Sequence, residues 1–272
     1  MIVVTGTKRS GTSLWMHLLV EAGLPFIGDR FPAGWPELLR QANPDGFFES
    51  ELMAGVYFRT NPHPLTGAYL APAQTREHAV KIFIPGLVRT DVAFIDRCLA
   101  TVRSWREYVV SARRVRALAA AEGAPPPEDG LLPPALEWWC NNYALLRDLA
   151  IRGYPVHVVS YDGLLRDPAR MLAEVLEWIG RGDASRVAEL VRPELRTAGV
   201  EGLPADDALA EGIEPRHLET FDALYEAIDG ERPLTDALVE RLNQTHDALR
   251  PRVLEHEANA DAMTIADVLG RG

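Results

Sequence analysis

Lys8, Arg9, Ser10, Gly11, Thr12 and Ser13 place two cations, three hydroxyls and a glycine at consecutive positions. Together these residue types can hold an oxyanion: the cations meet its charge, while hydroxyls and backbone N–H groups meet its oxygens. The flanking residues say how the backbone would wrap. Ile2, Val3, Val4 and Thr5 suit an interior parallel strand, Gly6 and Gly11 permit a tight loop, and Leu14, Leu18 and Leu19 recur at helical spacing. Thr12 and Ser13 then open a helix whose first N–H groups and dipole point at the same spot as the loop amides.

The phosphate loop of nucleotide hydrolases requires Gly, four residues, then Gly-Lys-Ser/Thr. Gly6 and Gly11 have that separation, but Thr12 stands where the lysine belongs, and the cations Lys8 and Arg9 lie inside the loop. A different phosphate-bearing ligand is implied. Lys-Arg-Ser-Gly-Thr-Ser after a strand resembles the 5′-phosphosulfate loop of sulfotransferases that use 3′-phosphoadenosine 5′-phosphosulfate (PAPS), whose pattern is Lys/Arg-Ser-Gly-Thr-Thr/Ser. The resemblance implies that residues 8–13 bind the cofactor, with Arg9, helped by Lys8, stabilising the leaving 5′-phosphate of the product PAP.

Four further segments extend the resemblance in the family's order. The family's second motif has an arginine at a strand end and a serine eight positions later, both on the 3′-phosphate; Arg103 and Ser111 have that spacing. On a helix starting beside the arginine, the serine lies two turns in, so hydroxyl and guanidinium can share one phosphate. Tyr161, in Tyr-Asp-Gly-Leu-Leu-Arg-Asp-Pro, resembles the tyrosine beside the adenine. Lys81 resembles the lysine of the Lys-Thr-His segment and is expected at the sulfuryl oxygens. Asn43 to Glu49 resembles a stretch found in bacterial members. No Arg-Lys-Gly tail motif is present, so the contacts it makes in cytosolic animal enzymes are unassigned. The implied reaction needs no metal.

Two positions depart from the pattern. Phe83 stands where the family's general-base histidine belongs, which leaves Glu49, His63 and His78 as candidates, Glu49 first because it is expected near a helix start among apolar neighbours. Leu14 replaces the tryptophan that often stacks the adenine, and Trp15 points about 100° away from it on a helix. Two rival functions stay open. One is a P-loop phosphotransferase, in which Asp162, ending an apolar strand, would bind magnesium. The other is a non-catalytic PAP/PAPS-binding protein.

The elements that must carry these residues follow from periodicity. Strands are expected at residues 2–5, 78–84, 98–102 and 156–161, and helices from Thr12, from about 46 to 59, from about 91, over 105–122 and 135–152, and after Pro168. The proline-rich stretches 23–44 and 123–134 are candidate lids. Strands alternating with helices predict an α/β fold with a mainly parallel sheet, helices on both faces and a helical C-terminal half, and the resemblance implies the P-loop-like sulfotransferase fold.

Of 272 residues, 47% are hydrophobic and 25% charged, and no linker divides the chain, so a single domain over 1–272 is expected. The net charge of −11 argues against a nucleic-acid or anionic-membrane partner. Arg103, Arg106, Arg113, Arg114 and Arg116 stand close together in an acidic chain and, taken by charge alone, read as a solvated helix face. Cys98 and Cys140, both in apolar surroundings, read as buried thiols. With no leader pattern and no apolar run near 20 residues, the chain reads as cytoplasmic without membrane insertion. The expected partner is a small-molecule or glycan acceptor; the oligomeric state is left open.

Overall fold

The computed structural model describes residues 1–32, 44–121, 132–196 and 203–269. Five strands form one sheet: β1 (Ile2–Thr5), β2 (Phe26–Ile27), β3 (Ala79–Lys81), β4 (Arg97–Val102) and β5 (Val156–Ser160). Their order is β2-β3-β1-β4-β5, and every pairing is parallel. The helices are α1 (Thr12–Glu21), α2 (Pro72–Thr75), α3 (Ile84–Leu87), α4 (Trp105–Ala121), α5 (Pro134–Arg152), α6 (Tyr161–Arg166), α7 (Pro168–Ile179), α8 (Asp206–Leu209), α9 (Pro215–Asp229) and α10 (Asp236–Leu269).

Strand alternation sorts the core into two faces. Ile2, Val4, Leu99 and Val159 face α1 and α7, where Leu18, Leu19, Leu172 and Val175 meet them. Met1, Val3, Val80, Cys98 and Ala100 face the opposite layer with Leu87 and Leu145. A third cluster joins α4 and α5 to α9 and α10 through Trp105, Trp138, Trp139 and Phe221. These layers bear out the α/β fold with helices on both faces. Among the described residues no helix is long and apolar enough to cross a membrane.

The topology fixes where a ligand can enter. From β1 the chain runs through α1 toward β2 on one side; from β4 it runs through α4 and α5 to β5 on the other. The crevice at the carboxyl ends of β1 and β4 is therefore the switch point of the sheet, the place where open parallel sheets bind ligands.

Several local expectations are corrected. The helix expected from about 46 to 59 is absent: Glu49 pairs its backbone with Asp29 in an antiparallel bridge, and only a 3₁₀ turn, Glu51–Ala54, follows. Asp29 N–H donates to the Glu49 carbonyl at 2.8 Å, a long-range bond that overrides local helix preference. The strand expected over 78–84 is shorter because Phe83 already caps α3. The helix expected from about 91 is a 3₁₀ turn, Val92–Phe94. Tyr161 opens α6 rather than ending β5. Strand β2, two residues between Pro25 and Gly28, was too short to show periodicity.

Of the arginines on and before α4, Arg113 and Arg114 are exposed as a solvated face requires, Arg106 and Arg116 are half-buried, and Arg103 is buried. Arg106 pairs with Asp206 and Asp222, Arg113 with Glu211, and Arg116 with Glu137. Cys98 is buried, and burial pushes its thiol up to about 12; Cys140 is half-buried, and neither forms a disulfide. Much of each candidate lid, 33–43 and 122–131, lies outside the described residues, as does Asn43.

Candidate active site

After Thr5 the chain wraps back on itself before α1 begins. Ser10 Oγ and Ser10 N–H both donate to the Thr7 carbonyl, at 2.7 and 3.2 Å. Thr101 Oγ1 donates to the Ser10 carbonyl at 3.0 Å, tying the loop to the end of β4. Two residues turn left-handed, Arg9 at φ 71° and Gly11 at φ 101°. A methyl group on Gly6 would come within 2.4 Å of the Thr101 carbonyl oxygen, and one on Gly11 within 2.7 Å of Tyr161 Cδ2. The cradle therefore requires both glycines. No side chain caps the first turn of α1 and no acid lies in it, so the positive end of the helix is presented to the loop.

The structure brings Arg9 of the anion loop together with Arg103, Ser111 and Tyr161. Arg9 Nε donates to Ser111 Oγ at 3.2 Å, and Arg103 Nη1 donates to the Arg9 carbonyl at 3.3 Å. The Arg103 guanidinium lies 4.5 Å over the Tyr161 ring, and Trp138 Nε1 donates to the Arg103 carbonyl at 2.8 Å. Among the described residues no carboxylate pairs with Arg9, whose charged form is disfavoured by burial and then by Arg103. Two neighbouring guanidiniums with one left unpaired form a site whose electrostatics call for an anion. Burial also holds the Tyr161 hydroxyl above its ordinary range.

Lys81, Glu49 and Ser13 form a second group at the end of β3. Lys81 Nζ donates to the Phe47 carbonyl, to Ser13 Oγ at 3.3 Å and to Glu49 Oε1 at 3.2 Å. Burial lowers the Lys81 ammonium, and Glu49 opposes that shift. Among the described residues Glu49 Oε2 has no hydrogen-bond partner. Phe83 is more than a missing base: Lys81 Nζ lies 5.2 Å and Lys8 Nζ 5.8 Å from its ring centre, within cation–π range. Ser13, on the first turn of α1, joins this group to the anion loop.

Other candidates fall elsewhere. His63 accepts from the Leu65 and Thr66 N–H groups through Nδ1, and its Nε2 lies 3.4 Å from Glu51. His78 stands beside the Arg76 carbonyl at 3.2 Å. Trp15 is fully buried in the core beneath α1, which removes it as an adenine-stacking residue; Leu14 is half-buried at the same core.

Sequence reasoning missed Glu107. Its carboxylate is fully buried, one helical turn past Arg103, and takes Arg103 Nε at 2.9 Å and Nη2 at 2.8 Å. Arg196 donates to both Glu107 oxygens, through Nη2 and through Nε at 3.3 Å. It also reaches Asp162 Oδ1 at 2.5 Å, while the Tyr225 hydroxyl donates to Asp162 Oδ2. The signal for Glu107 was its i,i+4 spacing from Arg103.

No family model and no curated protein matches the chain. Among solved structures it is similar to the sulfotransferase domain from the curacin biosynthetic pathway, at 14% sequence identity and a TM-score of 0.41, over 92% of this chain and 97% of that one.

Proposed function

We propose that the chain is a PAPS-dependent sulfotransferase acting on a hydroxyl or amine of a small-molecule or glycan acceptor. The observation that carries this reading is the half-buried Arg9 guanidinium, without a carboxylate partner among the described residues, hydrogen-bonded to Ser111 and beside Arg103 at the uncapped start of α1. A loop that only packed helix on sheet would not hold two guanidiniums against each other at the sheet's switch point.

The residues fit two phosphates. The glycine cradle, the first N–H groups of α1, Ser10, Thr12 and Ser13 suit the 5′-phosphate, and Arg103 with Ser111 suits the 3′-phosphate. Tyr161, against Gly11 and Arg103, would border the adenosine. When bound, PAPS supplies a sulfuryl group activated by its 5′-phosphate leaving group. Arg9, whose Nη groups remain free of partners among the described residues, neutralises charge at that phosphate, with Lys8 beside it. Lys81, held by Phe47, Ser13 and Glu49, offers its ammonium to the sulfuryl oxygens. Glu49 Oε2 takes the acceptor's proton. Sulfuryl transfer resembles phosphoryl transfer in needing mainly position and charge stabilisation, which these groups provide.

Phe83 supports a second reading, a non-catalytic PAP/PAPS-binding protein, because the ring that replaces an imidazole serves the two lysines instead. The phosphotransferase reading loses its metal residue, since both Asp162 oxygens are taken by Arg196 and Tyr225.

Thermal shift with PAP, 5′-AMP and ATP with magnesium tests the proposal. A ligand at about 100 times its dissociation constant stabilises by about 2.7 kcal/mol, a readily measured rise in melting temperature. PAP is expected to stabilise most, and PAP release from PAPS over an acceptor panel then separates the enzyme from the binding protein. Stabilisation by ATP and magnesium but not by PAP would sink the proposal.

A further inference from the structure

Helix α4 turns one face to the anion site, and Arg114 stands on that face. Ser111 there accepts from Arg9 Nε at 3.2 Å, and Glu107, one turn earlier, is fully buried against Arg103. At about 100° per residue, Arg114 lies within about 20° of Glu107 and about 60° of Ser111, whereas Arg113 lies about 160° from Ser111. Side chains on a helix lean toward its N-terminus, so a long one at position 114 covers the turn that carries Ser111. The electrostatics agree with that placement: after burial and Arg103, the charge of Arg114 also disfavours the charged form of Arg9.

The partners of the neighbouring arginines set Arg114 apart. Arg103 meets Glu107, Arg106 meets Asp206 and Asp222, Arg113 meets Glu211, and Arg116 meets Glu137. Arg114 is exposed and has no hydrogen bond or ion pair among the described residues. Arg9 likewise has no carboxylate among them, so these two guanidiniums share no counter-charge and gain most when an anion joins them.

We propose that Arg114 is a further ligand-binding residue, which contacts the 3′-phosphate of the adenosine bisphosphate from the solvent side while Ser111 meets it from the inner side. The inference rests on the bisphosphate reading of the site and adds a residue to it. Since Arg114 stays in water, its contact is screened by salt more than contacts at buried groups are.

Calorimetry with PAP and 5′-AMP tests this on the full chain as wild type, Arg114→Ala, Arg114→Glu and Arg113→Ala, with the melting temperature of each recorded without ligand. Arg114→Ala should lower PAP affinity by about three- to tenfold at low salt, the range of a charge-assisted contact weakened by exposure, and leave 5′-AMP affinity nearly unchanged. Arg114→Glu should lower PAP affinity further. Arg113→Ala, which removes a neighbouring charge from the opposite side of α4, should change the preference for PAP little. Raising the ionic strength should narrow the difference between wild type and Arg114→Ala.

Arg114 has no partner among the described residues to lose, so its variants should melt like the wild type. If Arg114→Ala melts early, Arg114→Gln takes its place with the same expected loss. Equal losses for PAP and 5′-AMP would reveal a long-range field instead of a contact and overturn the role of Arg114. An Arg113→Ala variant as weak as Arg114→Ala, or an Arg114→Glu variant that binds PAP like the wild type, would overturn it too. In each of these cases the wild type still prefers PAP, and the bisphosphate reading stands. A wild type that binds PAP and 5′-AMP alike overturns that reading and this inference with it.

Discussion

Arg9 is a half-buried cation and Lys81 a fully buried one, and their surroundings differ in a way that assigns them different sensitivities. Arg9 has a hydroxyl and a second guanidinium for neighbours, so its charge is available to a group that becomes more negative during reaction. Arg9→Ala is therefore expected to cut turnover by about 10²-fold, while PAP affinity falls less, because the charge on the leaving phosphate is greatest in the transition state. Normal turnover at saturating PAPS would remove Arg9 from the reacting centre. Lys81 has a carboxylate partner, and burial, the largest influence on its ammonium, is opposed by Glu49. Replacing Glu49 with Gln withdraws that support, so the Lys81 proton leaves at lower pH. The expected outcome is a pH–rate profile whose alkaline limb moves down, with turnover at the plateau lowered by about 10²- to 10⁴-fold if Glu49 also takes the acceptor proton. An unmoved alkaline limb would show that Lys81 does not work as a cation.

At the scale of elements, the unit β1–loop–α1 works because the backbone comes within contact distance of two other segments. Gly11 sits at φ 101° against Tyr161. Gly11→Ala should cost about 1 to 3 kcal/mol from left-handed backbone strain, and the clash with Tyr161 should displace that ring. Chemical denaturation measures the first effect and loss of PAP affinity the second; an alanine variant with unchanged stability would contradict the geometry. This unit was legible in the sequence because its signals are local: β-branched run, glycines, then helical spacing. The nearness of Arg103 and Ser111, each of which touches Arg9, was legible for a similar reason, since about two helical turns separate them. The segment around Glu49 was not, because its conformation is set by Asp29 across a bridge rather than by its own residues. Glu107 was hidden because an acid four positions after an arginine usually marks a wet helix surface, and only the tertiary fold makes this one fully buried. Arg196 was unassigned because its partners stand on α4 and α6, far away in sequence.

For the whole molecule, the groups that titrate in acid add up in one direction. Burial disfavours the imidazolium of His17, His157, His217 and His246. Hydrogen bonds from Arg106 and Arg170 hold the Asp206 and Glu231 carboxyls below their ordinary range. In every case the folded state binds protons less readily than the unfolded chain, so the stability these groups confer is present at neutral pH and is lost as pH falls. The histidines act first, below about pH 6.5, and the carboxylates again below about pH 4. The melting temperature should fall from pH 7 to 5.5 and fall further in stronger acid; a flat profile through the first interval would contradict the histidine assignment.

The position of β1 bears on how the chain is made. It precedes every other strand, yet it lies at the middle of the sheet, where Ile2 is registered with Ala79 on one side and Arg97 on the other. On the ribosome it emerges before both partners and must wait, a short apolar segment with both edges open, until they arrive from much later in the message. Such distant parallel pairing is slow to form and leaves unpaired strand exposed meanwhile. The anion loop, tied to Thr101 and packed on Tyr161, is then translated early and completed late. A nascent chain released before Tyr161 has cleared the exit tunnel would carry the whole binding motif and be unable to use it.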